Sequence, residues 1–143
     1  MSPLPRLLLS CFALAGLLAA CTEAPAVATA GTAFDGVYQG ENRVVRGSGF
    51  VCAPDVFLQS IIVRNGRFDY PFPVSPPYVV PLPVLIAADG SLAGQLQYGT
   101  ENPSAASEFT TAWVLVRGRI TGPTLDATVT DKRCTRHLLL QRQ

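Results

Sequence analysis

His137 is the one histidine of the chain and the first residue to weigh as a catalytic group. A catalytic base needs a nucleophile to activate and an acid to orient it, all within hydrogen-bond reach. The local run Thr135-Arg136-His137-Leu138 supplies no such set. At period two, His137 shares a face with Leu139 and Gln141, while Arg136, Leu138 and Leu140 take the other. It therefore reads as a surface or barrel-end histidine. No G-x-S-x-G elbow, H-E-x-x-H pair, Walker loop, EF-hand loop or G-x-G-x-x-G turn occurs. The carboxylates are scattered, and Asp89 and Asp131 sit where turn residues belong. The expectation is a protein that is not an enzyme and holds no cofactor.

The other residues with chemical potential are cationic and aromatic. Arg117 and Arg119 are two apart, so an extended chain projects them from one face together with Trp113 and Leu115. Arg binds anions through a planar fork, and Trp and Arg recur at the energetic centres of interfaces. Trp113, Arg117 and Arg119 are thus candidate partner-binding residues. The competing expectation is a solvated outer face for the arginines, with Trp113 turned into the core or a seam. Arg43 with Arg46, and Arg64 with Arg67, add further cations. The segment Tyr70-Pro71-Phe72-Pro73-Val74-Ser75-Pro76-Pro77-Tyr78 is pre-ordered by its prolines. It suits either partner docking or, as preferred here, a rigid strap packed over the domain.

Arg6 is followed by an apolar run, Leu7 to Leu18, that closes on Leu18-Ala19-Ala20-Cys21. The run is too short for a permanent span, which needs about 20 apolar residues, but it suits a secretory hydrophobic region behind a positive start. An aliphatic residue, two small residues and then Cys resembles the signal and lipobox of bacterial lipoproteins. The resemblance covers residues 6–21. It implies cleavage before Cys21, a diacylglycerol on the Cys21 sulfur and acylation, by a chain such as palmitate, of its new amino group. A single acyl chain binds only marginally, so such triple acylation would anchor the protein firmly. In that family Asp after the Cys is the inner-membrane retention signal. Thr22 therefore implies the outer membrane, facing the periplasm.

Loss of Arg6 would take the formal net charge from +1 to zero. A neutral chain has no basic field, so nucleic acid is not an expected partner. Of the four cysteines, Cys11 would leave with the signal and Cys21 would carry lipid. Cys52 and Cys134 remain, an even pair in an oxidising compartment, and read as a disulfide. Closing a loop of that length would stabilise by roughly 4–5 kcal/mol on chain entropy alone. No metal site is expected, because one His and two distant Cys make no zinc pattern.

Residues 1–20 are thus assigned to the signal, 21–33 to the lipidated Cys and a flexible Ala/Thr-rich tether, and 34–143 to one domain. That domain has the punctuation of an all-β meander. Asn65-Gly66 and Asp89-Gly90 are hairpin signals between β-rich runs, and Thr121-Gly122-Pro123 and Asp131-Lys132-Arg133 mark further turns. Phe68, Tyr70 and Phe72 alternate with polar residues, as do Leu125, Ala127 and Val129, the pattern of half-buried strands. Three segments are expected not to be strands: Gly47–Asp55, the proline-rich Tyr70–Pro83 and the polar Gly99–Thr111. The fold expected is a small antiparallel up-and-down barrel of about eight strands with a filled interior, and a two-sheet sandwich is the alternative. The disulfide would sit near the closing seam.

The function expected is non-enzymatic: a lipid-anchored envelope protein in a binding or structural role, through protein–protein contacts. Two alternatives stand beside it. One is a periplasmic inhibitor of a lysozyme or protease, with Gly99–Thr111 inserting into its target. The other is a small-ligand carrier of lipocalin-like type.

Overall fold

A computed structural model of the chain describes residues 32–47, 52–75, 78–101 and 109–143. The signal, Cys21 and all but the last two residues of the proposed tether lie outside the described residues, as do 102–108 of the polar loop. A 3-10 turn, Thr32–Phe34, leads into eight strands. These are β1 (Gly36–Arg46), β2 (Val56–Val63), β3 (Arg67–Ser75), β4 (Tyr78–Ile86), β5 (Ser91–Glu101), β6 (Phe109–Thr121), β7 (Thr124–Thr130) and β8 (Thr135–Arg142).

All pairings are antiparallel, and the strands form one sheet in the order β2-β1-β8-β7-β6-β5-β4-β3. First and last strands pair from Tyr38 with Arg142 to Arg46 with Thr135, so the sheet wraps on itself. The fold is the expected eight-stranded barrel, nearly closed. Alternation explains it: the residues buried on β3, β4 and β7 are every second one, Phe68-Tyr70-Phe72, Leu82-Val84-Ile86 and Leu125-Ala127-Val129. With Tyr38, Ile61, Val114, Val116, Leu138 and Leu140 they make one contiguous apolar cluster. Burial of this kind is the main term holding such a domain together.

One end of the barrel is closed by the entering chain. Asn65 and Gly66 both take positive φ, 54° and 67°, in the two-residue turn between β2 and β3, the geometry that matches strand twist. The Asp35 carboxylate accepts both turn N–H groups, at 2.7 Å from Asn65 and 3.0 Å from Gly66. Tyr38 Oη donates to the Phe34 carbonyl at 2.8 Å. The Arg142 guanidinium donates to the Asp35 carbonyl. The β4–β5 and β6–β7 turns lie at this same end. The connections β1–β2, β3–β4, β5–β6 and β7–β8 lie at the opposite end.

The proline-rich stretch corrects an expectation. It is not an unpaired connection but the body of a hairpin, with β3 and β4 paired from Arg67 with Leu85 to Ser75 with Tyr78. Ile86 N–H donates to Gly66 O across this ladder, so even-numbered residues of β3 and β4 hydrogen-bond each other. Pro71, Pro73, Pro81 and Pro83 are all odd. Their missing donors therefore face away from the hairpin, where they cost the β3–β4 ladder nothing.

The same parity places the seam. Beyond the Arg64–Arg67 bridge, β2 and β3 do not pair. The β3 edge facing β2 has no donor at Pro71 or Pro73. The gap is therefore between β2 and β3, whereas the disulfide ties the β1–β2 connection to the start of β8 and is not at the seam. The polar loop is also shorter than expected, because β5 and β6 pair out to Glu101 with Phe109. Among the described residues no helix is long and apolar enough to cross a membrane.

Candidate functional site

Two regions place functional-group side chains together. The first is the outer face of β6. Strand alternation turns Val114 and Val116 into the core and leaves Trp113, Leu115, Arg117 and Arg119 outside. Trp113 is 50% exposed, so its assignment to the core or a seam is overturned. Phase decides: a residue four before Arg117 on one strand must share its face, and size and apolarity do not override that.

Cross-strand neighbours define this face. Trp113 lies opposite Gln97, Leu115 lies between Gln95 and Thr130, and Arg117 lies between Ala93 and Thr128. Arg119 is engaged: its Nη2 is 3.1 Å from Asp89 Oδ2. Arg117 differs. Its Nη1 donates to the Val116 carbonyl at 3.1 Å, and among the described residues it has no carboxylate partner. Trp113, Leu115 and Arg117 thus form an apolar-to-cationic strip, with Arg119 tied off at its lower end.

His137 also faces outward, where its Nε2 meets Asp126 Oδ1 at 2.8 Å. The two are diagonal neighbours on β8 and β7, and directly opposite His137 stand Arg43 and Thr128. Thr128 Oγ1 donates to the Arg117 carbonyl, so it is not presented to the imidazole as a nucleophile. The arrangement is a surface side-chain contact, of the kind worth little in stability. Among the described residues no three metal-ligating side chains converge.

The second region is the barrel end remote from Thr32, and sequence reasoning missed it. Asn42 is fully buried and donates through Nδ2 to Tyr70 Oη at 3.1 Å. It accepts from Arg136 Nη1 at 3.3 Å. Arg136 also donates to the carbonyls of Pro54 (3.0 Å) and Cys52, and its guanidinium lies 5.3 Å from the Phe57 ring centroid. Beside this group, Asp131 accepts from the N–H of Arg133 (2.8 Å) and Cys134 (2.6 Å), from Tyr98 Oη (3.1 Å) and from the Arg133 guanidinium. The disulfide Cys52–Cys134, with its Cα atoms 5.9 Å apart, pins the same end.

The electrostatics follow from these partners. Burial pushes the Asp131 carboxyl up, but the bonds from Cys134 and Arg133 outweigh it and hold it below its ordinary value. Burial and the neighbouring Asp131 charge push the Tyr98 phenol up to about 12, and burial raises Tyr70. Among the described residues the buried side-chain donors and acceptors are satisfied within the protein, so this cluster fastens connections rather than offering a reactive group. A signal for it was present: Arg136 shares its strand face with Leu138 and Leu140, and a cation in an apolar phase calls for buried acceptors.

A hollow of about 400 Å³ lies against β1 and β2, lined by Gln39, Gly40, Leu58, Gln59 and Ser60. It has one large apolar side chain, Leu58. The chain matches no family model, no curated protein and no solved structure.

Proposed function

We propose that this chain is exported, trimmed before Cys21, acylated there and held at the outer membrane facing the periplasm. Its barrel would then serve as a non-enzymatic binding module for another envelope protein. The observation that carries the reading is the exposed Trp113-Leu115-Arg117 strip. Nothing in the fold requires an exposed Trp, and Trp with Arg is the pairing that concentrates binding energy. The position also fits. Thr32 enters at one end of the barrel, and Trp113 lies toward the other, so a tether leaves that strip turned outward from the lipid.

A photo-crosslinking side chain placed at position 113 in the native host tests this. One recurrent envelope protein should be captured, and Arg117→Ala should reduce the yield. Capture no greater than from position 124, on the outer face near the tethered end, would contradict the reading. Trp113→Ala should change stability by no more than about 0.5 kcal/mol, as exposed sites generally do.

A second reading, an inhibitor of a secreted lysozyme or protease, is favoured by the β5–β6 hairpin. Its pairing continues to Glu101 with Phe109, whereas β7 accompanies β6 only as far as Leu115. The hairpin therefore extends past its neighbour, as an insertion element would. Loss of hydrolase turnover at stoichiometric protein would favour this reading over the first.

A further inference from the structure

The barrel has a second discontinuity besides the β2–β3 seam. Strands β4 and β5 pair only through Val84 with Gly94, Leu85 with Ala93 and Ile86 with Leu92. Ala87 N–H donates to Ser91 O in the same register, so odd-numbered residues of β4 hydrogen-bond β5. The next two positions in that register are Pro83 and Pro81, which have no N–H to give. Pairing stops there. The outer part of the β3–β4 hairpin, residues 70–74 and 79–83, is therefore hydrogen-bonded to itself and to neither flanking strand. Prolines hold two outward donor positions on each of its edges, Pro71 and Pro73 on β3 and Pro81 and Pro83 on β4.

Side chains, not ladders, fasten this part down. Arg133 donates to the carbonyls of Val74 and Pro73, both at the long distance of 3.4 Å. Asn42 donates to Tyr70 Oη at 3.1 Å. The Phe72 and Tyr98 rings pack with centroids 5.1 Å apart. The inner face is apolar, with Tyr70, Phe72 and Leu82 buried in the barrel core.

We propose that this part of the hairpin is a flap over the barrel interior. It is hinged where pairing to the rest of the sheet ends, at Arg67 and Val84, and latched by Arg133. It opens cooperatively and loses its own ladder as it does so, because its contacts to β2 and β5 are side-chain contacts only and no backbone bond to either neighbour holds it in place. Opening uncovers the aromatic inner face without unfolding β5 to β8. Local openings of this kind draw on regions with few backbone bonds to their surroundings.

Hydrogen exchange on the full chain tests the proposal. The amides of Phe72, Val80 and Leu82 should exchange together, at least about tenfold faster than those of Leu138 and Leu140 in β8. Arg133→Gln should accelerate the first set by about a further tenfold, the order expected for loss of charged hydrogen bonds, with β1 to β8 pairing unchanged. Pro83→Val restores a donor toward Gln95 and should slow the set, which keeps the test decisive if Arg133→Gln fails to fold. Exchange of the hairpin at the rate of β8, or hairpin rates unmoved by Pro83→Val, would overturn the flap.

Discussion

Asp131 shows how one carboxylate can organise a barrel end. It is almost fully buried, yet it accepts from two backbone N–H groups, a phenol and a guanidinium. Leaving those donors unpaired is costly, so Asp131→Ala should destabilise by roughly 3–5 kcal/mol, measured by urea denaturation. The pH dependence has a definite sign. The folded carboxyl is held below its ordinary value of 3.8. As pH falls, the unfolded chain takes up the proton first, so the contribution is complete above about 3.8 and is lost below it. Asp131→Asn should flatten the acid limb of the stability curve. The sequence identified Asp131 as a turn residue, which it is. It did not show Tyr98 or Arg133 converging on it, because those contacts depend on the barrel curving Tyr98 across to the β7–β8 turn. Trp113 is the converse case: strand phase alone places it outside, alongside Arg117.

Individual strands were legible because period two is a local signal. Asn65-Gly66 fixed a turn, and the turn fixed a register. What was not legible was how the prolines distribute. Losing a donor forbids a ladder bond only on one edge, and which edge depends on pairing parity. Read without parity, Tyr70–Pro83 is a connection; with it, the same residues form a hairpin whose prolines open the two flanking junctions. The end of β1 shows a similar long-range constraint. Gly47 has φ of 99°, and a Cβ there would lie 2.5 Å from the Arg133 carbonyl and 2.8 Å from Cys52 Sγ. Gly47→Ala should cost about 1–3 kcal/mol through backbone strain, read as a lower melting temperature with the strand content by circular dichroism retained.

The whole molecule is a barrel with two unlike ends. The end at Thr32 has tight turns and is capped by Phe34 and Asp35. The far end carries the disulfide, the buried polar cluster and the outer parts of two hairpins. The Cys52–Cys134 link spans 82 residues of sequence and joins the first connection to the last strand. Reducing it, or replacing both cysteines by Ser, should lower the urea midpoint by the equivalent of roughly 2–5 kcal/mol. Polarity of this kind suits a body tethered at one end and working at the other. The cysteine pair was legible in the sequence, which also raised the expectation of an anchor; that the first described residues and the exposed Trp lie toward opposite ends was not.

The proposed tether would give those ends their meaning, and the intact mass of the protein extracted from its native membranes tests it most directly. The account predicts a chain that starts at residue 21, carries the added mass of a diacylglycerol and an N-linked acyl group on Cys21, and is two hydrogens lighter for the Cys52–Cys134 bond. A mass equal to the unprocessed chain, or to a cleaved chain without lipid, would contradict it.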